Sequence, residues 1–116
     1  RALSSLELLE GDRIAVMTLR RQDFQQIGAS ADETENLVNE ALRISSVVIA
    51  MLLVEQDGQT RVSLRSREEA NVAQIAAQFG GGGHARAAGL RSSDDPDSLK
   101  TKLLGACAAQ LSGATG

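Results

Sequence analysis

A continuous apolar run, VVIAMLLV at residues 47–54, constrains the fold of this chain more than any other feature. A run of strand length without a polar residue is typical of a strand that is covered on both faces. The dipeptide Asp57-Gly58 follows three residues later and tolerates the positive φ angles of a tight hairpin turn. Residues 60–67, TRVSLRSR, then alternate apolar and polar side chains. The sequence therefore predicts a hairpin whose first strand lies at the centre of a sheet.

The second strand of this hairpin has one apolar face and one polar face. Val62 and Leu64 point to the same side, because side chains alternate along a strand. The opposite side carries Arg61, Ser63, Arg65 and Arg67. Arginine suits phosphate because its planar guanidinium donates two parallel hydrogen bonds. We predict that Arg65 binds phosphate, while the sequence alone assigns no role to Arg67 or Arg86.

Five further elements are predicted around the hairpin. They are a strand at 12–19, helices at 33–43 and 72–79, a strand at 87–91 and a helix at 97–111. The whole order is strand, helix, strand, strand, helix, strand, helix. This alternation predicts the α/β class, as a two-layer sandwich with a mixed sheet of about four or five strands and flanking helices.

The length of 116 residues is that of one domain. We predict that residues 12–111 form it, that residues 1–11 are a linker or the end of a helix, and that residues 112–116 are a tail. The chain begins with Arg1 rather than Met and has no apolar run of membrane length. We therefore expect a piece of a longer cytoplasmic protein that does not contact a membrane.

The net charge of -3 hides a basic segment. Residues 61–91 contain five arginines and two glutamates, which gives a local charge of +3. Exposed charges are screened beyond roughly 8 to 10 Å, so this local surplus matters more to an anionic ligand than the total charge. The basic segment is also the one that contains a run of glycines.

Four glycines stand immediately before the only histidine, in GGGGH at residues 80–84. One glycine is enough to end the preceding helix, and we predict that Gly80 does so. Gly81, Gly82 and Gly83 then form a loop whose amides can surround a phosphate group. His84 can donate a hydrogen bond to a phosphate oxygen in either protonation state.

Two common phosphate motifs do not match this glycine run. A Walker loop requires Lys and then Ser or Thr after its last glycine, whereas Gly83 is followed by His84 and Ala85. The dinucleotide fingerprint G-x-G-x-x-G also fails, because no glycine stands at its third position. The sequence therefore favours neither ATP cradling nor Rossmann-type binding.

The sequence offers no candidate metal centre. Metal-assisted phosphoester hydrolysis requires clustered acidic or histidine ligands, and this chain has one histidine and scattered carboxylates. Its only cysteine, Cys107, recurs with Leu99, Leu103 and Leu111 at helical spacing, which predicts a buried apolar residue. We expect a chain that holds a phosphate group, binds no metal or other cofactor and carries no catalytic residue.

The stretch GGGGHARAAG, preceded by VSLRS and NVAQIAAQF, resembles the DHHA1 domain of DHH-family phosphoesterases. With DETENLVNEALRI ahead of the central strand, the arrangement is most similar to the nanoRNase and pAp phosphatase branch, to which RecJ exonucleases are related. The resemblance spans about residues 12–111. It implies that a phosphate or nucleotide end is held by Gly81, Gly82, Gly83, His84 and Arg65, with Ser63 and Asn39 as further candidates.

The resemblance also implies a parent protein in which a separate N-terminal DHH domain binds manganese and supplies the chemistry. That parent would degrade short oligoribonucleotides to nucleoside 5′-monophosphates, or dephosphorylate 3′-phosphoadenosine 5′-phosphate, or do both, and a homodimer is compatible with it. The present chain alone is expected to be inactive. Polyphosphate and cyclic dinucleotides stay open as substrates.

The main alternative function is a non-catalytic RNA-binding module like the related C-terminal domain of alanyl-tRNA synthetases. A scaffold or dimerisation domain is a third possible function.

Overall fold

A computed structural model of the chain describes residues 6–9, 11–19, 31–56, 58–67 and 70–111. These residues form β1 (Glu7–Leu9), β2 (Ile14–Leu19), α1 (Ala31–Leu42), β3 (Ile49–Gln56), β4 (Gln59–Ser66), α2 (Val72–Ala77), β5 (Gly82–His84), β6 (Ala87–Ser92) and α3 (Pro96–Leu111). All seven elements predicted from the sequence are present, with ends that differ by up to two residues. β1 and β5 are additional.

The described strands form one mixed sheet in the order β1-β2-β3-β4-β6-β5. β2 and β3 are parallel, and all other neighbouring pairs are antiparallel. A parallel pair requires a long crossover, and α1 lies within the connection between these two strands. The predicted α/β class and mixed sheet are confirmed. The sheet has six strands rather than four or five, because two strands of three residues lie at its edges.

The two faces of the sheet are packed against different helices. On the face that we call the α1 face, Ala50, Leu52 and Val54 of β3 join a buried cluster with Val38 and Ala41 of α1. On the opposite face, the other β3 residues pack with side chains of α2 and α3: Ile49, Met51, Leu53, Ile75, Leu99 and Leu103. The prediction that residues 47–54 contain a strand covered on both faces is therefore confirmed.

The predicted hairpin is also present. Gln56 and Gln59 are register partners in β3 and β4, so the turn between them has two residues. Gly58 has φ +75°, which is the conformation expected of a glycine in a tight hairpin. Asp57, the other predicted turn residue, lies outside the described residues.

The prediction of a helix near the beginning of the chain is wrong for the residues that the structure describes there. Glu7–Leu9 form a strand that pairs antiparallel with β2, in the register Glu7 to Val16 and Leu9 to Ile14. Three residues are too few for hydrophobic periodicity to separate helix from strand, and the exposed edge of β2 decides between them. Residues 1–5, 10 and 112–116, predicted as linker and tail, lie outside the described part.

The two helices opposite the α1 face begin with side-chain caps. The Asn71 side-chain oxygen accepts a hydrogen bond from the Gln74 amide at 3.2 Å, at the beginning of α2. A carboxylate oxygen of Asp95 accepts from the Ser98 amide at 3.3 Å, in the first turn of α3. Hydrogen bonds from Ser98 lower the pKa of the Asp95 carboxyl. None of the described helices is long and apolar enough to cross a membrane.

Cys107 is completely buried in the cluster between α3 and the sheet, as predicted. Its Sγ lies 3.8 Å from the Sδ of Met51 in β3. Burial raises the pKa of the thiol from 9.0 to about 12. The folded protein therefore keeps this side chain protonated under conditions in which an exposed thiol is a reactive thiolate.

We predict that the stability of the protein decreases as the pH rises from about 9 towards 12. Above pH 9 the unfolded chain loses the Cys107 proton and the folded chain retains it, so ionisation favours the unfolded state. The free energy of unfolding should fall by up to about 1.4 kcal/mol per pH unit in this range, measured by urea titration at pH 8, 9 and 10.

The matched control is Cys107→Ala, whose stability is compared only with its own value at pH 8. Every other side chain is common to both variants, so a difference between their pH dependences reports on Cys107. An equal pH dependence in both variants would contradict the assignment to Cys107.

Candidate functional site

The helices leave part of the α1 face open. α1 packs against β2, β3 and β4, while α2 and α3 pack on the other side of the sheet. Along the α1 face, register-paired residues of neighbouring strands stand in rows, because paired residues point to the same side. Three rows cross the open part: Arg65, Ala87 and His84; then Ser63, Gly89 and Gly82; then Arg61 and Arg91.

A groove of about 510 Å³ lies over these rows. The residues lining it that matter for ligand binding are Arg61, Ser63, Arg65, Gly82, Gly83 and Arg91. Three of these carry a positive charge, and none of the described residues that line the groove is acidic. The floor between the arginines is formed by Ser63, Gly82 and Gly89, so it contains only one short side chain. Such a surface suits an elongated anion.

The structure brings together four of the seven predicted site residues. Ser63, Arg65, Gly82 and Gly83 line the groove. His84 is exposed on β5 and continues the row that contains Arg65, but it lies outside the lining of the groove itself.

The other two predicted residues lie elsewhere. Gly81 precedes β5 and faces the backbone of β6, and Asn39 is exposed on α1 without lining the groove. Asn39 was singled out by family resemblance alone, and the groove that gathers the other residues does not include it. Sequence reasoning missed Arg91, whose position opposite Arg61 depends on the β4–β6 register.

The first glycine of the run ends α2 as predicted. Gly80 has φ +84°, and its amide donates to the Ala77 carbonyl at 3.2 Å. The Gly81 amide donates to the Ala76 carbonyl at 2.8 Å. These two hydrogen bonds and the left-handed glycine form a Schellman motif, which satisfies carbonyls at the end of the helix.

Gly82 and Gly83 lie in the edge strand β5, which Gly81 precedes, and not in the predicted loop. A Cβ at Gly81 would lie 2.3 Å from the Gly89 oxygen, and one at Gly83 would lie 2.6 Å from Ala88 Cα. Gly83 also has φ +144°, which side chains disfavour. Gly82 has open space around its Cα. Two of the glycines are therefore required for β5 to approach β6, and only Gly82 leaves room for a ligand.

Two arginines that the sequence left unassigned have structural roles. Arg67 donates through Nη2 to the carbonyls of Leu42 and Ile44 at 2.9 and 3.3 Å, at the end of α1. Arginine at a helix C-terminus satisfies free carbonyls and complements the helix dipole.

Arg86 ties the β5–β6 turn to the segment before α2. Its Nη1 donates to the Arg67 carbonyl at 2.8 Å, to Ser66 Oγ at 3.1 Å and to the Ala70 carbonyl. Ser66 Oγ in turn donates to the Ala85 carbonyl at 3.0 Å. These bonds hold the turn that follows His84 against the end of β4, where Arg65 lies.

The described residues do not provide a metal site. No group of three or more His, Cys, Asp or Glu side chains lies together within the described ranges. The donor set that manganese would need is therefore not offered by this part of the chain, and no chemical step is assigned to a metal here.

We predict that Gly83→Ala destabilises the protein and Gly82→Ala does not. An added methyl group at position 83 meets the β6 backbone, so the free energy of unfolding should fall by about 1–3 kcal/mol. At position 82 the methyl group points into open space, and the change should stay within about 0.5 kcal/mol. Urea unfolding of both variants measures the difference, and equal losses would contradict the close approach of β5 to β6.

Comparison with known proteins agrees with this fold. A family model described as the DHHA1 domain matches residues 11–113. The bifunctional oligoribonuclease and PAP phosphatase NrnA of Bacillus subtilis (strain 168) is 30% identical over 95 residues, which are 80% of this chain and 30% of that protein. Over 80% of its length, the chain thus matches a part of a longer protein.

Several solved structures share the fold. An exopolyphosphatase-related protein from Bacteroides fragilis has a TM-score of 0.79 and 23% identity, over 97% of this chain and 32% of that one. The C-Ala domain of alanyl-tRNA synthetase from Aquifex aeolicus has a TM-score of 0.63 and 14% identity, over 85% of this chain and 90% of that one. The chain spans about a third of the length of the Bacillus and Bacteroides proteins. The match over residues 11–113 confirms the resemblance noted in the sequence, and the chain belongs to the DHHA1 domain family.

Proposed function

We propose that this chain is the substrate-binding domain of a DHH-family phosphoesterase, and that its groove holds a phosphate group of a nucleotide or short oligoribonucleotide. The observation that carries the proposal is the groove itself. Arginines line a floor in which Gly82 and Gly89 leave the backbone uncovered, and no described acidic residue is present to repel an anion. The similarity to the Bacillus oligoribonuclease and PAP phosphatase supports nucleotides as the class of ligand.

The groove residues have complementary tasks in this proposal. Nη1 of Arg65 donates to the Leu64 carbonyl at 3.0 Å, and the guanidinium has further N–H groups that would donate to phosphate oxygens. Ser63 adds a hydroxyl donor from the next row, and the open space at Gly82 lets an oxygen approach the main chain. His84 donates from β5, on the far side of the Arg65 row. Together these groups orient a phosphate group without providing a nucleophile to cleave it.

Hydrolysis is assigned to another domain of the parent protein in this proposal. A manganese centre in a DHH domain would supply a metal-activated water as the nucleophile. The task of the present chain is to bind the rest of the substrate so that one phosphoester bond reaches that centre. Short RNA and 3′-phosphoadenosine 5′-phosphate are the proposed substrates, in a cytoplasmic protein.

A second candidate function is RNA binding without a catalytic partner. It is favoured by one observation, namely that the chain covers 90% of the C-Ala domain from Aquifex aeolicus with a TM-score of 0.63. The two functions differ in what the groove recognises. A phosphoesterase domain depends on a phosphate at the nucleotide, whereas an RNA tether binds a folded RNA regardless of its terminal phosphate.

We predict that the 116-residue chain binds adenosine 5′-monophosphate in the millimolar range and binds adenosine at least tenfold more weakly. The phosphate oxygens accept hydrogen bonds from Arg65 and Ser63, and a hydrogen bond to a charged group is worth about 1.5–3 kcal/mol. Titrations followed by amide NMR should shift the signals of Gly82, Gly83 and Arg65. Equal binding of adenosine and its monophosphate would contradict the proposal, and tight binding of an RNA hairpin alone would favour the second candidate.

The variant Arg65→Gln should weaken binding of the monophosphate about tenfold or more, because it removes one charged donor from the groove. Lys102→Gln is the matched control. It also removes one positive charge, but Lys102 lies on α3, on the opposite side of the sheet, and pairs with Asp94 at 2.8 Å. Similar losses in both variants would indicate non-specific attraction and contradict a role for Arg65.

We also predict that the chain alone does not hydrolyse oligoribonucleotides when manganese is added. The reason is that the described residues lack a set of ligands for the metal. Incubation with a labelled trinucleotide, followed by separation of the products, should return the substrate unchanged. Cleavage that requires manganese and persists in Arg65→Gln would contradict the assignment of the chemistry to another domain.

A further inference from the structure

Two arginines face each other at the end of the groove that is farthest from His84. Arg61 on β4 and Arg91 on β6 are direct register partners, so both point to the α1 face. Like charges placed directly opposite on neighbouring strands reduce the stability of a sheet. Within the described residues, neither side chain makes a hydrogen bond or an ion pair. The repulsion within this pair is therefore not offset by an ion pair with another described residue.

The contrast with Arg67 and Arg86 makes the pair unusual for this protein. Those two guanidinium groups bind backbone carbonyls and stabilise the ends of elements. Arg61 and Arg91 instead line the same groove as Arg65. An anion between them would replace the repulsion with two charge-assisted interactions.

The spacing along β4 separates this pair from the first phosphate position. Arg61 and Arg65 lie on the same strand and face, four residues apart, which corresponds to about 13 Å at 3.3 Å per residue. Between them lies the row of Ser63, Gly89 and Gly82, which has no bulky side chain. The path from one cationic end to the other is therefore open along the floor of the groove.

A single phosphate cannot contact both ends of this groove. Phosphates of a stacked strand follow each other at about 3.4 Å along its axis, and an extended strand increases that spacing. A span of about 13 Å corresponds to about four steps of a stacked strand and to fewer steps of an extended one. A chain of three to five nucleotides therefore places a further phosphate near Arg61 and Arg91 when its first one is held at Arg65. A mononucleotide leaves this pair unused.

We propose that Arg61 and Arg91 form a second anion site, which binds a further phosphate of an oligonucleotide and makes the groove prefer short chains of nucleotides to mononucleotides. This inference rests on the proposed function, since it extends the same groove. In this proposal Arg61 and Arg91 select the length of the bound chain, and the glycine strand β5 does not.

The test compares adenosine 5′-monophosphate with the 5′-phosphorylated adenosine trinucleotide, using the 116-residue chain at fixed ionic strength. We expect the trinucleotide to bind at least tenfold more tightly than the monophosphate. In Arg61→Gln/Arg91→Gln this ratio should fall to about twofold, because the trinucleotide loses much more affinity than the monophosphate does. The slope of log K against log salt for the trinucleotide should also become shallower by about 0.7 for each phosphate that the variant no longer neutralises.

Lys102→Gln, which removes a charge from the opposite side of the sheet, should leave the ratio and the slope unchanged. Failure of the wild-type chain to bind the monophosphate would refute the proposed function itself. Binding of the monophosphate with the same length preference in wild type and double variant would overturn only the second site. The single variants Arg61→Gln and Arg91→Gln provide intermediate ratios if the double variant does not fold.

Discussion

Burial of β3 on both faces is the constraint on which the rest of the structure depends. Its residues alternate between the two clusters, with Ala50, Leu52 and Val54 on the α1 face and the others opposite. Such a strand needs a neighbour on each side and a layer on each face to satisfy its backbone and cover its side chains. β2, β4 and the helices meet these requirements, and their placement leaves the outer part of the α1 face open.

The groove is open because of where α1 lies on the sheet. α1 lies in the crossover between the parallel strands β2 and β3, so it remains on their side of the sheet. β6 and β5 extend the sheet beyond the reach of this helix. The site is therefore built on strands, which hold its residues at fixed separations, rather than on a flexible loop. The hydrogen bonds of Arg86 then fasten the turn after β5 to the end of β4.

The glycine run combines packing and ligand access in consecutive residues. Gly80 closes the helix, while Gly81 and Gly83 let β5 lie against β6. Gly82 alone leaves open space on the groove side. The glycine run resembles a phosphate-binding loop in the sequence, but strand packing explains most of it. Packing accounts for Gly81 and Gly83, and ligand access accounts for Gly82.

The sequence by itself determined seven of the nine described elements, the buried faces and the family. The apolar run, the alternation at Val62 and Leu64 and the helical recurrence of Cys107 report on burial, and burial is what hydrophobic periodicity records. It also located Arg65 and Ser63 on a polar face. It did not separate Arg61 and Arg91 from Arg67 and Arg86, because all are arginines near strand ends.

Only the tertiary structure decided that Arg67 and Arg86 bind carbonyls of other segments, while Arg61, Arg65 and Arg91 line the groove. It also decided that Glu7–Leu9 and Gly82–His84 are strands. These outcomes depend on the register between segments that are far apart in the chain, such as Arg61 with Arg91, and on contacts such as Arg67 with the end of α1. Local patterns contain no information on such distances, since pairing is chosen by the packing of the whole sheet.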